Sequence, residues 1–254
     1  MGASGSDTLL IHPNDPATAV ALLTRLPVKA RFERSARAAW AYPLAGALLA
    51  GLAALPTYGL LLLGIPPMIA AVVFVAAMVI MSGAMHEDGL ADTADGLWGG
   101  WDKARRLEIM KDSRIGAYGV IALCLSLTLR WLAVAVVLDT SGAFWLLIAV
   151  AMLSRAAMPL VMTALPHART DGLSHAQGRV PRRTALAGLT IATAIAFLLI
   201  NWLSLPLAAL SFLCAALCAA TANMKIGGQT GDILGATQQV SEIILLIALL
   251  PLVG

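Results

Sequence analysis

Seven apolar stretches, at about 44–63, 67–85, 116–138, 143–165, 184–201, 203–222 and 233–253, recur along the chain between more polar connections. Each is close to the ~20 residues that a helix needs to cross the hydrocarbon core of a bilayer. Lipid offers no water to an open backbone, so such stretches must pair their amides internally, as helices. The expected fold is therefore all-α: a polytopic integral membrane bundle of about seven transmembrane helices. Composition agrees, with 59% of the 254 residues apolar and 12% charged, and a mean hydropathy of +0.85. Soluble domains carry about 25% charge. A soluble globular domain, a disordered chain, a disulfide scaffold and a nucleic-acid binder are all excluded. Cys124, Cys214 and Cys218 lie inside apolar stretches with no Cys-x-x-Cys spacing, which reads as buried small hydrophobes. No secretory signal is expected, since residues 1–43 hold no apolar run ending in a small-residue cleavage site.

The basic residues orient the bundle. Arg25, Lys29, Arg31, Arg34 and Arg37 precede the first span; Lys103, Arg105, Arg106, Lys111 and Arg114 occupy the 86–115 connection. Arg169, Arg179, Arg182, Arg183 and Lys225 fall in later connections on the same side, while those at 64–66, 139–142 and 201–202 hold no Lys or Arg. The positive-inside rule makes the charged face cytoplasmic and places the N-terminus inside. Asp15-Pro16 reads as an N-cap followed by proline at the first helical position, starting an interfacial helix within the cytoplasmic segment 1–43. Pro56, Pro159 and Pro206 fall inside spans and are expected to kink them. No repeat or low-complexity linker divides the chain, so residues 1–254 read as one membrane-embedded domain.

Seven of the fourteen acids lie between Glu87 and Asp112. In a helix, Asp88, Asp92 and Asp95 at i, i+4 and i+7 would share one face. Carboxylates stacked this way repel one another, and a hard divalent cation holding a substrate phosphate resolves the repulsion. The alternative is a solvated loop balanced by its own five Lys and Arg. Lys111-Asp112-Ser113-Arg114 opens the third span, where cations and free amides make a phosphate seat or a plain cytoplasmic anchor. Gly227-Gly228-Gln229-Thr230-Gly231-Asp232 feeds the last span, and its amides are able to converge on an anion. It lacks the Lys-Ser/Thr ending of a nucleotide-triphosphate loop. Beyond it, Asp232, Gly235, Gln239 and Glu242 mark one polar stripe expected to face a wet cavity. Arg155 lies about 15 Å from the inner end of its span, too deep to snorkel, and so should meet a carboxylate or a ligand phosphate; Arg130 lies nearer the outer end, within snorkelling reach.

Three of these runs, taken together, resemble the cobalamin synthase family, the membrane-bound adenosylcobinamide-GDP ribazoletransferases. They are His86-Glu-Asp-Gly-Leu-Ala-Asp92-Thr-Ala-Asp95-Gly, Glu108-Ile-Met-Lys-Asp112-Ser-Arg114-Ile-Gly and Gly227-Gly-Gln-Thr-Gly-Asp232-Ile-Leu-Gly-Ala. Arg25-Leu-Pro-Val28, Tyr42-Pro-Leu-Ala-Gly46, Arg155 and Ala168-Arg-Thr-Asp-Gly-Leu173 extend the match over nearly the whole chain. Glu87 falls where the family's motif varies. The resemblance implies that the 3′-hydroxyl of α-ribazole, or of its 5′-phosphate, attacks the cobinamide-side phosphorus of adenosylcobinamide-GDP. GMP leaves, with Mg²⁺ required, in the last stage of cobalamin assembly. It implies a multi-pass protein of the bacterial inner membrane, with association with other nucleotide-loop assembly enzymes as a further expectation. On this reading Mg²⁺ sits on Asp88, Asp92 and Asp95, with Asp112 or Asp232 completing the site, and Asp95 accepts the ribazole proton. Lys111, Ser113, Arg114, Arg155, Arg169, Arg25 and the run Gly227, Gly228, Gln229, Thr230 and Gly231 hold the phosphates. A CDP-alcohol phosphotransferase is the nearest alternative, but there Ala-Arg follows the Asp-Gly, where Ala91 is followed by Asp92. Intramembrane prenyltransferases pair their acids differently, and a cation transporter would carry acids at mid-span instead of in loops.

Overall fold

Twelve α-helices make up the fold in this computed structural model, which describes residues 9–253; residues 1–8 of the N-terminal segment and residue 254 lie outside it. They are α1 (Asp15–Leu23), α2 (Ser35–Ala38), α3 (Tyr42–Leu62), α4 (Pro67–Ser82), α5 (Met85–Gly99), α6 (Lys103–Ile109), α7 (Ala117–Leu138), α8 (Ala143–Ala164), α9 (Leu173–Gln177), α10 (Arg182–Ile200), α11 (Ser204–Ile226) and α12 (Gly231–Val253). No strand occurs among the described residues, only an isolated bridge between His167 and Gln229. The architecture is all-α, as the apolar pattern requires.

Among the described residues, five segments are long and apolar enough to cross a membrane, or six when α4 and α5 are taken together as one bent span. One of the five, Arg182–Ile226, has 45 residues. A straight helix of that length would measure about 68 Å, twice the hydrocarbon thickness. It breaks instead at a 3₁₀ turn, Asn201–Leu203, where Asn201 takes a positive φ of 52°. The two halves, α10 and α11, both pack on α8.

The central helix is α8. Leu146–Met162 are buried throughout, with α3, α10, α11 and α12 packed around them. A helix that is apolar on every side belongs at the middle of a bundle. Small residues let its neighbours approach: a Cβ at Gly46 of α3 would run into the carbonyl of Ala151 and the side chain of Arg155. Outward-facing leucines and valines of α7, such as Leu125 and Val136, remain exposed for lipid.

The connection at 86–115, read above as a loop, is for the most part helical. Gly83 and Ala84 both take left-handed backbone (φ 67° and 56°) and end α4. The chain then starts α5 at 86° to α4. Two left-handed residues in succession turn the chain without a longer loop, and this bend decides where the acids go. Two smaller expectations are also revised. Asp15 is the first residue of α1 instead of its N-cap, and its buried carboxylate accepts hydrogen bonds from the Trp40 indole (2.8 Å) and the His12 amide (2.9 Å). This ties α1 to the start of α3. Pro206 is the third residue of α11, where its missing N–H breaks no helical bond, so it kinks nothing.

Candidate active site

Two glycines bring the acids together. At the crossing of α5 and α12, a Cβ on Gly89 would lie 2.8 Å from the Asp232 carbonyl oxygen and 3.2 Å from the Gly235 Cα. A Cβ on Gly235 would lie 3.2 Å from the His86 Cα. With hydrogen in those places the backbones touch, and the first turn of α12 lands beside the acidic face of α5. Asp88 and Asp92, one turn apart, are exposed and half-buried respectively, and neither carboxylate has a hydrogen-bond or ion-pair partner among the described residues. The charges of Asp88, Asp232 and Asp95 all act on Asp92, opposed by that of Arg169.

Asp95, expected as a ligand or base, is engaged by backbone amides in this structure. It is buried, and its two oxygens accept hydrogen bonds from the amides of Gly116 (2.7 Å) and Gly119 (2.9 Å). Those amides belong to the first turn of α7, whose N-cap residue is Gly116 and has no side chain to offer. Asp95 therefore caps α7 from another helix, each oxygen accepting one amide hydrogen bond.

The basic residues divide between the site and the surface. Arg169 reaches Asp232 (3.3 Å) and Asp171 (3.6 Å), and its Nη1 is buried without a partner. Thr230 donates to the same Asp232 oxygen (3.1 Å) and accepts from the Ile233 amide (3.3 Å), capping α12. Lys111 is paired with Asp171 (2.5 Å), linking the 110–116 and 166–172 connections. That bond holds the Asp171 carboxyl below the usual carboxylate range. Asp112 is not brought to the acidic face: it forms an exposed pair with Arg114 (2.9 Å), which lowers its pKa, and Ser113 lies exposed between them. The amides of 227–231 do not all point outward. Gly227 N donates to Asn223 O (2.9 Å) and Gln229 N to Pro166 O (2.8 Å). The Gln229 side chain is buried between Ser174 and His167. Gly228 is pressed against the Pro166 carbonyl, so this run serves first as a brace for the 166–172 connection.

Arg155 is also placed elsewhere. It lies at the heart of a buried network with Arg130, Glu87 and Glu242. Arg130 donates to Glu87 (2.7 Å), Glu242 (3.0 Å) and Gln239 (3.0 Å), and Arg155 lies 3.6 Å from Glu242. Gln239 uses both ends of its amide, accepting from Ser126 and Arg130 and donating to Glu87 and Gln238. Two cations against two anions leave the cluster neutral, as burial demands. Arg155 thus meets a carboxylate, one of its two expected partners. Arg130 does not snorkel: only 2% of it is exposed. Its pairing with Glu87 escaped the sequence, although an intramembrane Arg and an acid inside the last span were each a signal for such a pair.

A cleft of about 790 Å³ opens beside this site, between α1, the α4–α5 bend and α9. Asp88 lines one side and Arg25 another. The Arg25 amide donates to Met81 O (2.7 Å), and its side chain lies over Gly83. Among the described residues no three His, Cys, Asp or Glu side chains converge on one point as they stand. The donors nevertheless suit Mg²⁺ in kind. Asp88, Asp92 and Asp232 offer only hard carboxylate oxygens, and Mg²⁺ usually takes one or two carboxylates and completes its shell with substrate phosphates and water.

Comparison with known proteins bears on this geometry. The chain is 42% identical over 255 residues to an adenosylcobinamide-GDP ribazoletransferase of Bradyrhizobium diazoefficiens, covering 96% of this chain and 95% of the relative. It is 43% identical over 250 residues to the protein of that name from Azorhizobium caulinodans, covering 93% and 95%. It is 42% identical over 239 residues to one from Mesorhizobium japonicum, covering 92% of each. No solved structure matches. The family model described as cobalamin-5-phosphate synthase matches residues 15–250, a range that takes in both α5 and the first turn of α12. This chain belongs to the cobalamin-5-phosphate synthase family.

Proposed function

We propose that the chain joins α-ribazole, or its 5′-phosphate, to adenosylcobinamide-GDP, giving adenosylcobalamin or its 5′-phosphate and GMP. The observation that carries this reading is the meeting of Asp88, Asp92, Asp232 and Arg169 at the Gly89–Gly235 crossing, in a chain of this family. The ribazole 3′-oxygen forms a bond to the cobinamide-side phosphorus. The bond from that phosphorus to the bridging oxygen breaks, and GMP keeps the electron pair. Such transfers depend mainly on positioning and on charge stabilisation.

Asp88, open to the cleft and without a partner, accepts the hydroxyl proton. Asp92 and Asp232 are the residues to hold Mg²⁺; when bound, it neutralises diphosphate charge and polarises the phosphorus. Arg169, with its free Nη1, steadies the departing phosphate. Arg25 faces the same cleft and anchors the other end of the diphosphate substrate. The membrane reading that goes with this is seven crossings by α3, α4–α5, α7, α8, α10, α11 and α12 in a bacterial inner membrane. The N-terminus is then cytoplasmic, in support of which every connection rich in Lys and Arg falls on one side. Association with other enzymes of nucleotide-loop assembly is part of the same reading.

The test is GMP release from adenosylcobinamide-GDP by purified protein in liposomes, with and without α-ribazole, in Mg²⁺ and then in EDTA. Ribazole-dependent release that EDTA abolishes is the expected result. No release from folded protein overturns the reading.

A further inference from the structure

Behind the cleft lies a small recess of about 40 Å³, walled by Leu23, Met158, Met162 and Leu234. Leu22, Met85, Leu173 and Gln177 line both the recess and the cleft, so the two share a wall. Of the polar side chains that also border the recess, two have a buried atom without a hydrogen-bond partner: His86 Nε2 and Gln177 Oε1. His86 is only 1% exposed, and its backbone is clamped against Gly235, so the imidazole has little freedom to find a partner elsewhere. Buried groups of this kind are normally satisfied. An apolar pocket with a few unsatisfied polar groups is how small-molecule sites are usually built. At about 15 Å³ per water the recess holds two or three waters or the edge of a flat ring, not a whole ring. The methionines on its walls yield easily to shape.

We propose that the recess and adjoining cleft seat the planar aromatic base of the nucleoside substrate, with His86 and Gln177 reading polar atoms on the base edge. This deepens the ribazole-transfer reading and rests on it. The edge of the ring enters between Met158, Met162 and Leu23, and its body lies in the larger cleft. The sugar then projects along α5 toward Asp88, two residues beyond His86 and on the cleft wall. The same arrangement makes the recess the determinant of which bases are accepted.

The test uses Gln177→Leu and His86→Leu in the full chain in liposomes, with His86→Gln as the conservative variant. GMP release is measured while α-ribazole and adenosylcobinamide-GDP are varied in turn, and α-ribazole binding is measured directly by equilibrium dialysis. Gln177 lies on a five-residue surface helix, so its variant guards against loss of fold at His86. The expected result is a rise of at least tenfold in KM and Kd for α-ribazole in each Leu variant. KM for adenosylcobinamide-GDP should stay within twofold, and His86→Gln should recover most of the affinity. Met162→Ala, which enlarges the recess, should lower KM for a ribazole analogue with a bulkier base. Unchanged ribazole affinity in Gln177→Leu, or an equal rise in both KM values, overturns the proposal and leaves the recess to water. Ribazole binding by the parental protein without GMP release would overturn the transfer reading and keep this one.

Discussion

At the scale of single residues, five neighbouring carboxylates of one short helix and its partner have four different fates. Glu87 is neutralised by Arg130, Asp95 caps two amides, Asp232 is held by Arg169 and Thr230, and Asp88 and Asp92 have no partner among the described residues. The proposed roles separate in a metal titration. Asp92→Asn should raise the Mg²⁺ concentration for half-maximal GMP release by about tenfold or more, since half of the protein's ligands change. Asp88→Asn should leave that concentration alone and lower kcat by about 10²–10⁴, the usual worth of a general base. Equal Mg²⁺ curves for Asp92→Asn and the parental protein would remove Asp92 from the metal. Asp95→Ala belongs to a different class. Loss of a helix cap costs about 0.5–2 kcal/mol, so its thermal unfolding in detergent should come earlier even without substrate or metal.

At the scale of elements, the α5–α12 crossing and the buried Arg–Glu network position the site from opposite sides. Gly89→Ala places a methyl 2.8 Å from the Asp232 carbonyl, a contact relieved only by parting the helices. Overpacking of this kind costs about 1–3 kcal/mol, and activity should fall further than stability because Asp232 leaves Asp92. Gly51→Ala, where a Cβ meets nothing within 4 Å, is the matched control and should be neutral. Beneath the crossing, Arg130 joins α7 to α5 and α12 through Glu87 and Glu242. Arg130→Met leaves Glu87 with no cation and Glu242 with Arg155 alone, and breaking a buried pair from one side costs about 3–5 kcal/mol. Its yield of folded protein from membranes should collapse. Glu87→Gln keeps a polar partner for Arg130 and should be milder, as size-exclusion profiles of the two extracts would show.

At the scale of the whole molecule, the proposed orientation puts the charged connections on one side of a bundle centred on α8, with its chemistry at one mouth. Single-cysteine reporters in a protein lacking Cys124, Cys214 and Cys218 test this directly. Labels at 64–66 and 139–142 should react with an impermeant maleimide in whole cells. Labels at 103–115 and 169–183 should react only after lysis. The opposite pattern would invert the proposed orientation.

The all-α membrane class and the position of most of the long apolar helices were legible in the sequence alone, because lipid leaves an apolar stretch of that length one way to satisfy its backbone. The acidic motif was legible too, as a concentration of like charge that needs an explanation. Helical spacing even put Asp88 and Asp92 on one face. Their association with Asp232, more than a hundred residues away, was expected only through the family resemblance, because it depends on two glycines meeting at a crossing that no local pattern encodes. The division of labour among the acids was not readable. Asp88, Asp92 and Asp95 are equivalent by spacing, and only tertiary contact shows that Asp95 faces the amides of α7 while the other two stay open. Arg130 reads as a residue able to snorkel until Glu87, turned inward by the 86° bend after α4, comes within 2.7 Å of it. Periodicity and hydropathy are properties of one segment in one solvent and follow from the residues themselves. Which carboxylate meets a cation, an amide or open water depends on the neighbours that other segments bring, and the packing of the bundle decided that.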